Sequence, residues 1–424
     1  MGFEGVIINK INGGLGGAEN PDRVAVMVLG CGAIAAPPNF PEGSGLTVNT
    51  AYKLLQLSDA ETLGITSERD DAENRLDYYH LSEAFRLASD SVIYLIAVPV
   101  NTKVSDLKNL QPFITALRSI DGVNLIAVSG LEDETAITAP DPVSALQQSV
   151  TGSQLLVDAL AKDHIYIDAV LLEGKSAYLT PLINTMEDLR TMASPNVSVI
   201  IGQDRGVALQ KAAYAWHAAV GSALGMLLAR AVHENLGSVD IEVKPQARKG
   251  ESDYTLTDVK LRRFISTGLS NGKNATELSI ADQKQLDLLG YIYTGSFSGF
   301  AGFYFSNSHT CDKQDSDYCF IERNCIWNKA ARIIRKTLIP RVRSKVEADP
   351  ATGYIKGTTI DDWSARVRKS LEVMLASGNC AEFSIYINPN QAAVSTSPFK
   401  IAVNIVADGV VHEFEIDLGF TNKM

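Results

Sequence analysis

Four short stretches of this chain carry residue types that could do chemistry, and each sits at a spacing that can be tested. Gly30, Gly32 and Ala35 follow an apolar run in the G-x-G-x-x-A spacing of a dinucleotide fold. That reading needs a helix whose N-terminus holds a pyrophosphate, and the next residues, Ala36-Pro37-Pro38-Asn39-Phe40-Pro41, cannot begin one. Leu172-Glu173-Gly174-Lys175-Ser176 ends like a phosphate-binding loop, but Ala169 stands where the first glycine is needed and the intervening residues read as a strand. His309, Cys311, Cys319 and Cys325 are four potential soft metal ligands, yet they lack the paired C-x2-C knuckles that pre-orient zinc ligands, and free, partly buried thiols are the expectation. GSFSG puts Phe297 where a nucleophile elbow needs serine, and no H-E-x-x-H occurs. The expectation is no catalytic residue, no cofactor and no metal; the alternative is an α/β nucleotide-dependent enzyme using the Gly30/Gly32 turn.

Composition narrows the class further. The chain has 424 residues, 46% hydrophobic and 21% charged, which is globular usage and long enough for two or three domains. Thirty-eight basic against 49 acidic residues leave a net charge of −11, so the molecule as a whole repels nucleic acid and anionic membrane. Five cysteines form no disulfide framework and fit a reducing compartment, and the first residues lack the basic and apolar regions of a signal peptide. Residues 212–229 carry no formal charge, but their Ala and Gly content is too weak for a membrane span and reads as buried helix.

The elements that must position these residues alternate. Apolar runs at 23–29, 91–98, 123–128, 165–172 and 197–201 read as buried strands. Helical patterns at 70–88, 104–119, 153–161, 186–193 and 207–236 fill the gaps, so the fold class is α/β with a mainly parallel sheet. A polar, irregular stretch covers 238–273, then a helix at 279–289 and strands at 291–294 and 303–305 flank the turn GSFSGFAG. From about residue 318 a smaller α+β domain is expected: helices at 320–346 and 360–375, then amphipathic strands at 383–387, 399–405 and 411–418 with period-two alternation. The expected division is 1–19 as an N-terminal arm, 20–318 as the α/β domain, 319–409 as the α+β domain and 410–424 as a C-terminal strand or arm.

Charge placement and the two ends stand out. Between Phe320 and Lys345 eight basic residues face Glu322 alone, a local +7 in an acidic chain. Lys329, Arg332 and Lys336 share one helix face by spacing, with Arg335 beside them, and Ile326, Ala330, Ile333, Thr337 and Leu338 lie opposite. Beyond a solvated face, this fits an acidic protein surface; without interleaved aromatics it does not fit nucleic acid. At the N-terminus, Val6, Ile7 and Ile8 lie in a strand-grade segment hinged on Gly13, Gly14, Gly16 and Gly17. At the C-terminus, Phe414, Ile416 and Leu418 alternate with acidic residues. A sheet of three strands has open edges, so these arms either pair within the chain or exchange strands between copies.

The run from Asn324 to Gln391, with its basic helix, the turn Asp349-x-x-Thr352-Gly353, a second helix and a strand ending at Asn388-Pro389, followed by FKIAVNIVADGVVHEFEIDLGF, resembles the C-terminal domain of contractile tail sheath proteins. Upstream, LSDAETLG at 57–64, the helix through Tyr79 and Phe85 and the strand SVIYLIAVP are similar to the sheath N-terminal half. The resemblance implies a structural subunit of a phage tail, tailocin or related injection machine, polymerising as stacked hexameric rings around an inner tube and contracting to drive that tube through a target envelope. It implies as partners copies of itself, the inner tail tube protein, and baseplate and terminator proteins, without nucleic acid or membrane insertion. It also implies assembly in the bacterial cytoplasm and a final place in a virion tail or extracellular particle. On this reading Lys329, Arg332, Arg335 and Lys336 face the tube, and Val6, Ile7, Ile8, Phe414, Ile416 and Leu418 take part in inter-subunit strand exchange.

Overall fold

The five apolar runs do become strands, because a stretch that is β-branched and apolar on both sides is satisfied only when both its faces are covered. The structure, a computed structural model, describes residues 22–35, 45–138, 142–175, 179–180, 182–241, 255–394, 397–412 and 414–416. Strands β1 (Ala25–Leu29), β2 (Ala51–Leu54), β3 (Ile93–Ala97), β4 (Leu125–Ser129), β5 (Ala169–Glu173) and β6 (Val197–Ile200) form one sheet in the order β2-β3-β1-β4-β5-β6. All neighbouring pairs are parallel except β2–β3, where β2 is an antiparallel edge with the register Ala51 to Ile96. The sequence expectation lacked β2, whose residues Ala-Tyr-Lys-Leu are only partly apolar, as an edge strand permits.

Alternate residues of β1 feed two cores. Ala25, Met27 and Leu29 pack with helices α1 (Leu57–Thr62), α3 (Asp77–Leu87) and α7 (Val220–Leu228) on one face. Val26 and Val28 pack on the other face with α4 (Gln111–Arg118) and α5 (Ala145–Lys162). Between these, α2 (Ser67–Glu73), α6 (Arg205–Ala208) and α8 (Ile280–Leu289) are short connecting helices. Two antiparallel pairs complete this part: β7 (Gly202–Asp204) with β8 (Thr267–Leu269), and β9 (Thr294–Gly295) with β10 (Tyr304–Phe305).

Several expected helices are shorter than their patterns, and tertiary contacts explain where they stop. The 70–88 pattern breaks at Asn74, which takes the left-handed conformation (φ 55°) that an asparagine tolerates, so that Arg75 can turn back onto Asp77. The 104–119 pattern splits into a 3₁₀ turn, Val104–Asn109, and α4, which carries Pro112 in its first turn. Residues 186–193 hold only the 3₁₀ turn Leu189–Thr191. The long helix expected over 207–236 does not form: Lys211 is extended (φ −145°, ψ 149°), with its ammonium 2.8 Å from the Asp71 carboxylate, and α7 is the one α-helix among the described residues of that stretch after α6. No helix among the described residues is long and apolar enough to cross a membrane.

The chain divides into two compact units, Met1–Asn328 and Lys329–Met424. The division falls inside helix α9 (Ile321–Leu338). In the second unit α10 (Gly357–Ala376) buries Trp363, Val367, Leu371 and Met374 along one stripe. Strands β11 (Glu382–Ile387) and β12 (Ile401–Val406) pair antiparallel, and Trp363 packs edge-on against Phe399 at 5.5 Å between ring centroids. The Asp349-Thr352-Gly353 turn forms as its residues dictate: Gly353 has φ 71° and donates to the Asp349 carbonyl at 2.8 Å. The third strand is a correction, since residues 411–412 and 414–416 are not in a strand; alternation specifies which face is apolar but not what pairs with the edge. Phe414 and Ile416 are 80% and 79% exposed there.

Two glycines let α7 lie directly on α3. A Cβ on Gly221 would stand 2.2 Å from the His80 carbonyl oxygen and one on Gly225 2.7 Å from that of Ala84. Gly221→Ala is therefore expected to cost about 1–3 kcal/mol in denaturant unfolding. Gly295→Ala, where nothing lies within 4 Å, stays within about 0.5 kcal/mol of the parent.

Candidate functional site

In an open, doubly wound sheet, ligands bind outside the carboxyl ends of the strands where the strand order reverses. Here β3 lies on one side of β1 and β4 on the other, so that place is beyond Leu29 and Ser129. The two chains of backbone touch there: Gly30 donates to the Ser129 carbonyl at 3.2 Å, and a Cβ on Gly30 would lie 2.4 Å from the Gly130 carbonyl oxygen. Gly32 has φ 70°, the first helix described after it begins at Leu57, and Ile34 forms a bridge with Leu46. No helix N-terminus meets the glycines among the described residues, so the geometry of a dinucleotide site is not assembled.

The crevice is instead lined by the protein's own charges, tied to one another. Arg75 grips Asp77 with two bonds, Nε to Oδ2 at 2.6 Å and Nη2 to Oδ1 at 3.1 Å, and Arg69 adds a third at 3.1 Å. Glu173, at the end of β5, accepts from the Ser129 hydroxyl at 3.2 Å and from the backbone N–H groups of Gly130 and Ala218 at 3.3 Å each. Burial pushes its carboxyl up, but Lys175, His80 and those N–H donors outweigh burial and hold it below the usual carboxylate range. Lys175 binds the Leu131 carbonyl and the Asp133 carboxylate, the latter at 3.0 Å, so the Lys of the P-loop-like ending is an intramolecular tie. What remains is a cavity of about 270 Å³ lined by these groups with His80, Tyr214, Trp216 and His217. Residues from α3, β4, β5 and the segment before α7 converge here, and sequence reading missed the set because no spacing links them.

Burial also governs the titrating groups beside the cavity. His217 donates from Nδ1 to the Tyr214 carbonyl at 2.8 Å, and burial pulls its imidazole down to about 4. His80 accepts from the Gly221 N–H at 3.3 Å, and burial lowers it too. The Asp70 carboxyl moves the other way: burial raises it to about 7, although the Tyr79 N–H donates to it at 3.0 Å.

The soft-ligand cluster does not converge. His309 has Arg190 and Asp287 on its two ring nitrogens, each at 2.7 Å, and the Cys325 sulfur accepts from Arg23 at 2.9 Å. All five cysteines are free and buried, and burial pushes the Cys325 thiol up to about 12. Among the described residues no three His, Cys, Asp or Glu side chains are placed to hold a metal.

Helix α9 carries the basic patch, and its first half is held by buried polar contacts. Glu322 accepts from Asn235 at 3.0 Å and from the Ser308 hydroxyl, Asn324 donates to the Pro195 carbonyl at 2.6 Å, and Asn328 donates to Asp168 at 2.8 Å. Lys329 departs from the expected exposed face: it is buried, with its ammonium on the Asn379 side-chain oxygen at 2.8 Å. The helix pattern places it correctly by angle, but the second unit's Asn379 lies within reach of that angle. Arg332 is half-buried, and Arg335 and Lys336 are exposed. Of the arm residues, Val6, Ile7, Ile8, Gly13, Gly14, Gly16, Gly17 and Leu418 lie outside the described residues.

Two family models match nearly the whole chain: DUF2586, N-terminal domain, over residues 3–309, and DUF2586, C-terminal domain, over residues 317–424. The chain belongs to the DUF2586 family. Among solved structures, this DUF2586 protein is similar to a chain in the six-fold-symmetrised baseplate of the anti-feeding prophage, with 14% identity, TM-score 0.59 and 100% of both chains covered. It is similar to a chain of the PVC sheath complex of an extracellular contractile injection system in the contracted state, with 13% identity, TM-score 0.56, and 100% of this chain and 98% of that one covered. It also matches the sheath tail protein of Desulfitobacterium hafniense at 10% identity and TM-score 0.50, covering 95% of this chain and 100% of that one. No curated protein matches. The DUF2586 chain thus has the fold of contractile tail sheath proteins, as its sequence resemblance implied.

The buried groups set opposite pH slopes on the stability of the DUF2586 chain. Unfolded histidine takes its proton near pH 6.5 but folded His217 only near 4, so stability falls as pH drops across that window, by up to about 1.4 kcal/mol per pH unit. Folded Asp70 keeps its proton to about pH 7 while the unfolded carboxyl loses it near 3.8, so that contribution is full below 3.8 and lost as pH rises towards 7. Asp70→Asn is expected to raise unfolding stability by about 1 kcal/mol or more at pH 8 and to leave it unchanged at pH 3.5, measured by urea titration at both pH values.

Proposed function

We propose that this protein is a structural subunit of a contractile sheath, polymerising as stacked hexameric rings around an inner tube and contracting to drive that tube through a target envelope. The observation that carries the reading is the full-length likeness to chains of contractile injection assemblies at TM-scores of 0.59 and 0.56. The switch-point crevice fits it, because the charges that line it, Arg75, Asp77 and Glu173, are engaged with one another and with the backbone, and no glycine-to-helix phosphate cradle meets it among the described residues. The work is mechanical, and only contacts that differ between extended and contracted states can supply it. Assembly would take place in the bacterial cytoplasm, and the finished particle would be a phage tail or an extracellular injection device with baseplate and terminator proteins at its ends.

Two sets of residues carry the finer reading. Val6, Ile7 and Ile8, hinged on Gly13, Gly14, Gly16 and Gly17, would add a strand to a neighbouring copy, with Phe414, Ile416 and Leu418 supplying the second arm. The exposure of Phe414 and Ile416 and the two-stranded β11–β12 sheet fit that role. The basic residues Arg332, Arg335 and Lys336 would face carboxylates on the inner tube, with Lys329 fixing the helix from behind through Asn379. Exposed ion pairs are worth only about 0.2–1 kcal/mol each and are screened over about 8 Å at physiological salt, so a shallow patch can align two cylinders while leaving them free to slide.

Negative-stain microscopy of the purified full-length chain tests the reading: tubes or ring stacks are expected, and discrete small particles that bind a nucleotide would overturn it. Deleting residues 1–12 is expected to leave a folded monomer that no longer polymerises. Arg335→Glu with Lys336→Glu should keep the fold but reduce recovery of tube-filled sheath in sedimentation, most strongly at low salt. Equal recovery of parent and variant at low and high salt would return that helix face to solvent.

A further inference from the structure

Two loops that are far apart in sequence emerge side by side from the first unit. The Phe303 N–H donates to the Thr257 hydroxyl at 3.1 Å and the Leu256 N–H to the Phe303 carbonyl at 2.9 Å, so a tight loop at 258–263 and the glycine-rich turn at 296–302 share one base. A Cβ on Gly302 would stand 2.4 Å from the Thr255 side chain, and with φ 93° the position takes glycine.

The first loop is a built protrusion. Asp258 and Arg263 exchange backbone hydrogen bonds at 2.8 and 2.9 Å, and the Asp258 carboxylate accepts from the Leu261 N–H at 3.0 Å. Arg262 and Phe264 both take left-handed backbone (φ 55° and 46°), which non-glycine residues hold only when their surroundings enforce it. Phe264 is fully buried and its N–H donates to Asp204 at 2.9 Å; Arg263 lies over the Tyr79 ring at 4.9 Å and beside Glu83 at 3.3 Å. Everything between these anchors points outward: Val259, Lys260, Leu261 and Arg262 are exposed, Val259 and Leu261 at 76% and 60%. Among the described residues neither Lys260 nor Arg262 has an ion partner. The second loop adds Phe297 and Phe300, both exposed and each 6.0 Å from the Tyr304 ring that supports them.

We infer that this double tip, Val259, Lys260, Leu261 and Arg262 with Phe297 and Phe300, is a contact surface for a second copy of this chain. Four large exposed apolar side chains, Val259, Leu261, Phe297 and Phe300, match the apolar centre of an interface, and the cations Lys260 and Arg262 among them match its polar rim. The charge selects the partner. The tip is locally positive in a chain whose net charge is −11, so acidic surface on another copy is its electrostatic complement, and Glu83 at the foot of the loop is already paired with Arg86 and Arg263. The inference rests on the sheath reading and adds a lateral contact to it that is separate from the terminal arms and from the basic helix.

The test uses the full-length chain. Leu261→Asp combined with Arg262→Glu alters only exposed tip residues, so its melting temperature should match the parent, while the concentration needed for polymerisation should rise at least tenfold by sedimentation. In parallel, Leu261→Cys places one accessible thiol in a chain whose five native thiols are buried. Labelled there with a benzophenone maleimide and irradiated as polymer, it should yield an adduct of two chain masses, with the cross-linked peptide mapping to an acidic stretch. A variant that polymerises like the parent, together with no two-chain adduct from the labelled polymer, overturns the inference and leaves the sheath reading intact. A parent chain that stays monomeric under all conditions removes both.

Discussion

The backbone contact between Gly30 and Gly130 sets the character of the whole first unit. In a doubly wound sheet the carboxyl ends of the two central strands normally spread apart and leave room for a ligand. Here they close to the point that a methyl group has no place between them, and the Arg75–Asp77 pair lies across the gap. The cavity of about 270 Å³ lies beside this close contact and is lined by the same charges. Glu173 then ties β4, β5 and the segment leading into α7 to the same point, and α7 in turn lies on α3 through Gly221 and Gly225. These contacts join α3, β4, β5 and α7 around one point of the sheet.

The strand positions and the α/β class were legible because a buried parallel strand has no alternative reading: residues 23–29 or 123–128 are apolar on both faces. Helix lengths were less legible. The 207–236 pattern is apolar enough for one long helix, but the chain is extended at Lys211, whose ammonium pairs with the distant Asp71, and that pairing is not a local signal. Lys329 shows the same limit at the level of one side chain, since its spacing gives the face but Asn379, fifty positions on, decides that the face is covered. The family resemblance was readable in the second unit because its turns depend on residues such as Asp349, Gly353 and Asn388 that act through their own backbone. The crevice charges were not readable, since three elements contribute them and no period connects them.

Helix α9 combines two kinds of surface along 18 residues. Its first half, from Glu322 to Asn328, is fixed by hydrogen bonds to buried partners, each of which would be left unsatisfied if the helix slid by a turn. Its second half carries exposed cations whose interactions are weak and adjustable. The helix therefore joins a half whose register is set by discrete polar pairs to a half whose exposed charges set no register.

The strand order has a mechanical corollary. Any pull along the chain at Ala25 loads β1, an inner strand with β3 on one flank and β4 on the other, both parallel to it over five residues. Tension along a strand paired on both edges is a shear, distributed over two ladders at once, whereas tension on a terminal edge strand peels its bonds one after another. A strand held at the middle of the sheet is therefore harder to pull out along its own axis than an edge strand such as β2.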